Sequence, residues 1–567
     1  MASLLVSPQN MPEYDLVVCG AGAGGMSAAL TAAHHGLSVL ICEATDQVGG
    51  TTSTSAGTLW LPGNRHGQKA GYDDSIAAGQ QYLDALIGPD DHLGRRQAFF
   101  ESAGPAIEFL EERCELAFVS AGRHPDYLEL PGAAGCGRAL SPVEFDGRRL
   151  GADFDRVRPP LKDFLILGGM MANKSDVQAL VQRYRSWPAF RRTLQLVCRY
   201  VRDRLSYARG TRLVMGNALV ARMLLGLRKA GVEIRFGTRL LKLEKTGNRV
   251  SSIAVESAGQ CEHIRARIGV VLATGGIGHN AALRRQLDPN AFDSLTPQSV
   301  RGDALVAARE VGAKFEHQAR DFLWQPVSRV PDGAGGYRLF PHLYLDRAKP
   351  GLIAVNRAGK RFVNEGASYH HFVEGMLGDE EGSAGNLPAY LVCDHKFVEK
   401  YGIGIVPPGT RNLRAFERSG YLVSAPTISK LAEKLGVDSA GLQASVIRQN
   451  ERAEQGRDLE FCKGETAVSR FNGDDKERHP CLGPIQAPPF CAVQVFPADA
   501  ASCSGLRTDQ DGRVLTGNDA PLEGLYACGN DMASVMRGSY PGPGATLGPA
   551  MVFGYRVGIH AFRTAKQ

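Results

Sequence analysis

Tyr14-Asp15-Leu16-Val17-Val18-Cys19-Gly20-Ala21-Gly22-Ala23-Gly24-Gly25 decides the fold of this chain. The run from Leu16 to Cys19 predicts a buried strand, and the glycines after it predict a tight turn into a helix from Met26 to His35. Gly20 permits the turn, Gly22 lets backbone approach a pyrophosphate, and Gly25 lets the helix pack closely on the strand. Ala23 and Gly24 complete the phosphate-facing turn. A second strand, Leu37 to Cys42, ends at Glu43. An acid at ~20 residues from the glycines is placed to accept from a ribose hydroxyl. Strand, glycine turn, helix, strand and acid together predict a Rossmann-like nucleotide-binding unit; a merely tight βαβ turn is the simpler alternative.

Working outward, Val48 to Gly57 is small and hydroxyl-rich, and Gly49, Gly50, Thr51, Thr52, Ser53 and Gly57 are suited to lining a flavin, which favours FAD over NAD. Ala273-Thr274-Gly275-Gly276 closes another strand of the same kind. Gly524-Leu525-Tyr526-Ala527-Cys528-Gly529-Asn530 brings a third, with Gly529 and Asn530 as cofactor contacts. Cofactor signals at both ends of the chain require a domain inserted between them. The expected architecture is α/β: a Rossmann-like FAD-binding domain over residues 1–321 and 496–567, and an inserted α+β catalytic domain over 322–495.

Near the C-terminus, Tyr540-Pro541-Gly542-Pro543-Gly544-Ala545-Thr546-Leu547 places a phenol beside an opening helix. Pro541 and Pro543 suppress helix around Gly542, and Gly544 onward reads as the first turn of a buried helix. Free N–H groups there, with the positive end of the helix dipole, suit a carbonyl oxygen or a flavin edge, so Ala545, Thr546 and Leu547 join the cofactor contacts. Tyr540 supplies a second donor to one ketone oxygen, and two donors stabilise an enolate formed by loss of a neighbouring C–H proton.

These segments together resemble the two-domain flavoproteins of the fumarate reductase and succinate dehydrogenase superfamily. Members that attach flavin covalently use a histidine after the Gly-Gly pair; here the loop carries Thr and Ser, so non-covalent FAD is expected. Within the superfamily, Tyr540 to Thr546 is similar to the ketone-binding segment of the 3-ketosteroid Δ1-dehydrogenases, and Tyr540 and Gly544 fall on its two donor positions. The similarity extends over 349–356 and 359–365 into Ala367-Ser368-Tyr369, where the family carries the tyrosine that removes the C2 proton. Pro125-Asp126-Tyr127-Leu128-Glu129-Leu130-Pro131-Gly132 fits, less closely, the segment of an assisting tyrosine. The resemblance implies that Tyr540 and Gly544 polarise a C3 ketone, Tyr369 with Tyr127 takes the C2 proton, and C1 gives a hydride to flavin N5. It also implies a 3-ketosteroid substrate and an external electron acceptor, a quinone or similar. A free tyrosine has a pKa near ~10, so Tyr369 needs a stabilised phenolate or a relay, for which Tyr127 is available. Taken singly, each tyrosine also reads as a core aromatic with a satisfied hydroxyl. His370 and His371 read as hydrogen-bonded structural histidines that can tune Tyr369.

Three rival readings remain. A fumarate reductase-like enzyme would need Arg301 with His342 or His370 on an acidic substrate. Dehydrogenation at C4–C5 is disfavoured by Gly542. A membrane-attached protein with a non-catalytic flavin is the third.

The 567 residues, 43% hydrophobic and 22% charged, describe an ordinary globular protein with room for a large core. The 12 cysteines show no Cys-x-x-Cys pair and no zinc spacing, so reduced thiols and no metal are expected; Cys19, Cys42 and Cys528 read as small buried hydrophobes. Met1 to Met11 lacks a signal-peptide pattern and no run suits a transmembrane helix, which predicts a cytoplasmic protein. The net charge of +6 is unevenly placed, with nine arginines from Arg183 to Arg212 and Asp203 as the single acid among them. Aromatic and aliphatic residues interleave, and Phe164 to Met171 before them reads as an apolar, flexible loop. This insertion, about 155–210, reads as a basic amphipathic helix next to that loop, suited to peripheral association with an anionic membrane, at the inner face of the cell membrane. A surface helix with solvated arginines fits the same pattern. No nucleic-acid motif accompanies the arginines, so no nucleic-acid partner is expected.

Overall fold

The computed structural model describes residues 11–288, 290, 292–343, 346–378 and 385–567. The reading of the N-terminus as lacking a signal peptide falls almost wholly outside the described residues.

Among the described residues, eight strands form one sheet. Its parallel heart runs Glu233–Arg235, Val39–Cys42, Glu13–Cys19, Gln260–Leu272 and Pro521–Ala527. At its centre, Leu16–Cys19 of the third strand, Val39–Cys42 and the Ile268–Leu272 end of the fourth are buried, near-continuous apolar runs, as the covered part of a parallel sheet requires. Strands Thr238–Thr246 and Arg249–Ser257 extend it antiparallel along the first half of Gln260–Leu272. Helix Ala23–His34 begins directly after Gly22 and stops one residue short of the expected His35, while the second strand starts at Val39 rather than Leu37. The C-terminal helix Leu547–Ala565 lies against Ala23–His34 through small residues: a Cβ on Gly554 would strike the Gly24 carbonyl, and one on Gly558 would lie 2.6 Å from Thr31 Cβ.

A second sheet, of seven strands among the described residues, is ordered Tyr337–Pro341, Phe322–Pro331, Phe490–Ser502, Ala389–Asp394 and Leu352–Val355. Asp293–Ser294 and Val423–Ala425 also pair with its long strand. That strand runs past residue 495, and Asp293–Ser294 joins from the preceding segment. Helix Tyr369–Leu377 packs on Phe322–Pro331, carrying Tyr369 as its first residue with Ser368 as N-cap. Sheet alternation cannot reveal this placement, because it depends on the 359–368 turn folding back under a buried ion-pair cluster. There Arg361 bonds both Glu365 (2.7 Å) and Asp458 (2.9 Å), and Lys463 sits 3.5 Å from Glu365.

The insertion corrects two expectations. Phe164 to Met171 is not a free loop: Leu165–Ile166 and Met170–Met171 form a hairpin, both methionines are buried, and Phe164 packs on Phe340. Alternating side chains can bury one face of a hairpin, which a hydropathy run does not distinguish from exposure. The basic stretch is also not one continuous helix. It divides into Lys174–Gln182 and Trp187–Asp203, the second starting with Pro188 in its first turn, and Arg212 belongs to a strand. Trp187, Phe190, Leu194, Val201 and Leu205 follow one another at helical spacing and are exposed, Trp187 at 75% and Leu205 at 82%.

Candidate active site

The Gly20 turn fits a dinucleotide. Gly20 has φ +106°, and a Cβ there would strike the Ala273 carbonyl; Gly25 closes on the Gly20 carbonyl. Around Gly22, Gly50 and Gly529, by contrast, a Cβ would meet nothing within 4 Å. The buried hydroxyls of Thr51 and Ser53 have no hydrogen-bond partner within the protein. Open space beside glycine backbone, lined by orphaned hydroxyl groups, is what a bound pyrophosphate and flavin would fill and satisfy. Thr52 instead accepts from the Ala23 amide (3.2 Å), and Gly49 donates to the Ala21 carbonyl (2.8 Å), so the two loops brace each other. Gly24 faces Cys528, Gly529 and Ala550, and Gly57 faces Met215 and Gly216, so both serve packing.

Glu43 directs Oε2 to the Ala21 amide (2.9 Å) and Oε1 to the amide and hydroxyl of Thr45 (3.0 and 2.9 Å). With about four acceptor sites on a carboxylate, one remains for a ribose hydroxyl. Gly275 has φ +97° in the turn after Gln260–Leu272. That turn is held by Asp531, which the sequence reading passed over. Its carboxylate accepts from the amides of Thr274 (2.5 Å) and Gly276 (2.8 Å), and burial, partly offset by these bonds, pushes its pKa up to about 6. The available signal was its position directly after Asn530 at a strand end. Gly529, Asn530, Ala545 and Thr546 line one cleft together with Leu323 and Phe553. Cys19, Cys42 and Cys528 are buried, and burial pushes the Cys42 thiol up to about 12, so they act as small apolar side chains.

The helix expected from Gly544 begins only at Leu547. Gly544 has φ +91°, outside helical space, and a Cβ would strike the Thr58 carbonyl; its own carbonyl accepts from Trp60 (3.2 Å) and Gly548 (3.0 Å). Pro549, within the first turn, has no amide to leave unpaired. Leu547 is therefore the first helical residue, and Gly544 lies in the turn leading to it.

Tyr127, Tyr369 and Tyr540 converge. The rings of Tyr127 and Tyr540 stack at 5.5 Å, and Tyr369 meets both edge-on, at 5.7 and 5.2 Å. Tyr127 Oη donates to Tyr369 Oη at 3.2 Å, and the three residues are 4%, 5% and 8% exposed. A hydrogen bond donated to a phenol oxygen favours its ionised form. His370 accepts the Trp324 amide on Nδ1 (3.1 Å), which places its proton on Nε2, 3.4 Å from Glu374. His371 bonds Ser368 Oγ, and burial lowers its pKa to about 4. Glu374 is held at about 2: burial raises it, but His370, His371 and Arg320 outweigh burial. Both histidines are thus engaged structurally.

Of the residues a dicarboxylate would need, His370 lies beside Tyr540, with ring centroids 6.0 Å apart. Arg301 is exposed, and His342 is buried between Asp346 (2.6 Å) and Ser328 Oγ (2.9 Å). Among the described residues no helix is long and apolar enough to cross a membrane.

Residues 15–547 match the FAD binding domain family. A 3-oxosteroid 1-dehydrogenase of Mycolicibacterium smegmatis is 36% identical over 98% of each chain. The 4-oxocyclohex-2-ene-1-carboxylate 5-dehydrogenase of Sinomonas cyclohexanicum is 35% identical over 97% of this chain and 94% of its own. The crystal structure of the 3-ketosteroid Δ1-dehydrogenase of Sterolibacterium denitrificans in complex with 1,4-androstadiene-3,17-dione superposes with a TM-score of 0.89 at 36% identity, covering 98% of this chain and all of that one.

Proposed function

This chain belongs to the FAD binding domain family that includes the 3-oxosteroid 1-dehydrogenases, and from that premise we propose how its residues carry out the 1,2-dehydrogenation of a 3-ketosteroid. Tyr540 Oη and the Gly544 amide hold the C3 ketone oxygen and stabilise the enolate that forms when C2 loses its proton. Tyr369 takes that proton, and Tyr127 stabilises the Tyr369 phenolate and passes the proton on. Bound FAD supplies the hydride acceptor for C1. Gly20, Gly22, Ala23, Glu43, Gly49, Gly50, Thr51, Thr52, Ser53, Gly275, Gly529, Asn530, Ala545, Thr546 and Leu547 hold it without a covalent bond. The catalytic part is the inserted segment of about 322–495, whose helix Tyr369–Leu377 begins with Tyr369, between the two FAD-binding parts.

The observation that carries the reading is the 3.2 Å contact between Tyr127 and Tyr369 beside Tyr540. Anaerobic addition of androst-4-ene-3,17-dione should bleach the yellow protein and yield the 1,4-diene. Unbleached protein overturns the assignment. Acid or heat should release all flavin, and flavin retained on the polypeptide overturns non-covalent binding.

A second substrate reading rests on the Sinomonas relative, whose named substrate is a ring ketone bearing a carboxylate. The same phenols suit any cyclic ketone with a neighbouring C–H. Bleaching by 4-oxocyclohex-2-ene-1-carboxylate in place of the steroid decides for it.

The proposal includes an external quinone-like acceptor and docking on an anionic membrane at its cytoplasmic face. The support is the exposed stripe of Trp187, Leu194, Val201 and Leu205 beside Arg191 and Arg202. Such docking would give access to side-chain-bearing ketosteroids such as cholest-4-en-3-one. Co-sedimentation with anionic liposomes that falls with salt is expected, and no binding at low salt removes this part.

A further inference from the structure

Tyr82 lies within helix Ile76–Ile87 with no exposed surface, outside the site residues above. Its hydroxyl donates to the Pro541 carbonyl at 2.8 Å and accepts from the Leu128 amide at 3.2 Å. The Tyr127 amide donates to the same Pro541 carbonyl at 2.9 Å. One oxygen, next in sequence to Tyr540, is thus tied twice to the segment that carries Tyr127.

A second tie runs behind it. The Trp60 amide donates to the Gly544 carbonyl, and the Trp60 indole donates to Asp126 Oδ1 at 2.8 Å. Asp126 Oδ2 in turn accepts from Arg138 (2.5 Å) and the Ala134 amide (3.0 Å). The Arg138 guanidinium lies 5.5 Å from the Trp60 ring and 5.7 Å from the Tyr82 ring, so both ties share one cationic support. A Cβ on Gly542 would sit 2.8 Å from both the Trp60 ring and Asp126 Oδ1, leaving the turn no slack on that side.

We propose that Tyr82 is a positioning residue whose hydroxyl locks the ketone-binding turn at Pro541 onto the Tyr127 segment. The inference rests on the roles proposed above for Tyr540 and Tyr127. A substrate gripped at one carbon and deprotonated at the next needs donor and acceptor in fixed register, and the Pro541 carbonyl is where the two segments meet. A small loss of register is costly, since misplacement by about 1 Å can slow a reaction on the order of 10²-fold.

The test is Tyr82→Phe, which keeps the ring and removes the hydroxyl, alone and combined with Tyr540→Phe. Single-turnover flavin reduction by androst-4-ene-3,17-dione should slow about tenfold in the single variant. In the Tyr540→Phe background it should slow clearly less than in the parent background, because one of the two donors the turn places is already gone and only the Gly544 amide is left to position. Equal losses in both backgrounds, or no loss in either, overturn the proposal. Hydrogen exchange of the Tyr127 amide should quicken in Tyr82→Phe while FAD content stays at the parent level; unchanged exchange overturns it independently of any substrate. If even the parent reduces no flavin with a ketosteroid, the substrate reading fails and the exchange result alone decides the clamp. Should Tyr82→Phe not fold, Trp60→Phe, which cuts the second tie, is expected to show the same dependence on Tyr540, and additive losses there overturn the proposal.

Discussion

Tyr127 and Tyr369 are 242 residues apart in sequence and share a hydrogen bond, and Tyr540 joins them from a third segment. Each is fixed by backbone contacts close by. The Tyr127 amide bonds Pro541, Arg347 holds the Glu365 and Ala367 carbonyls ahead of Tyr369, and the turn after Tyr540 is bonded to Trp60. Helix Trp187–Asp203 is the opposite case: its pattern is local and its apolar stripe faces outward. Several of its arginines are spent on neighbours, Arg192 on Asp176 (2.9 Å) and Arg199 on Asp146 (3.3 Å). Convergence of distant residues on a buried point marks a place where chemistry is organised, whereas a strong local pattern marks only a surface that a partner can use.

The largest expected effect sits in the cluster. Tyr540→Phe should remove about 2.7–4 kcal/mol of transition-state stabilisation, a fall on the order of 10²–10³ in kcat, by analogy with other oxyanion-hole donors, with FAD content unchanged. Tyr369→Phe should be at least as severe. Rates within about threefold of the parent, read by stopped-flow flavin reduction, would falsify either role.

An intermediate effect is expected in acid. Glu365 and Asp346 are buried, which raises them, but Arg361 with Lys463 and His342 respectively outweigh burial and hold both at about 2. Lowered carboxylates contribute stability above their unfolded pKa values, near ~4, and lose it as pH falls toward 2. Asp126 and Asp531, raised by burial to about 6, have the reverse sign: their contribution is complete below ~4 and is lost as pH rises through 6. Urea unfolding at pH 5, 4 and 3 should therefore show a decline at the low end that Asp346→Asn flattens. A parallel decline in the variant would place the acid sensitivity elsewhere.

The smallest effect belongs to the insertion. Arg191→Gln with Arg202→Gln should leave turnover of androst-4-ene-3,17-dione and stability within about 0.5 kcal/mol of the parent, while reducing liposome binding. A large loss of turnover would mean the insertion shapes the pocket and would break the contrast.

The nucleotide-binding unit was legible because its signal is local: apolar strand, glycine turn and acid all lie within Leu16 to Glu43. Tyr540, Gly544, Tyr369 and Tyr127 were legible as members of short motifs. Tyr82 was not, because the bond that gives it meaning spans 459 residues and a tyrosine in an amphipathic helix has no local mark. Trp60 and Arg138 were hidden for the same reason. The late start of the last helix was missed because proline and glycine suppress helix without showing where suppression ends; that is settled by the backbone of Gly544 closing on Thr58.

The small-residue seam between Ala23–His34 and Leu547–Ala565, beside the parallel pairing of Pro521–Ala527 with Gln260–Leu272, bears on how the protein is made. The glycine turn leaves the ribosome first, but the helix and strand that cover its unit are translated after the whole inserted domain. Until then the apolar flanks of the early strands lack their final partners, so the nascent chain must be shielded through most of its synthesis. Loss of the last helix should accordingly yield insoluble, colourless protein rather than a weaker enzyme.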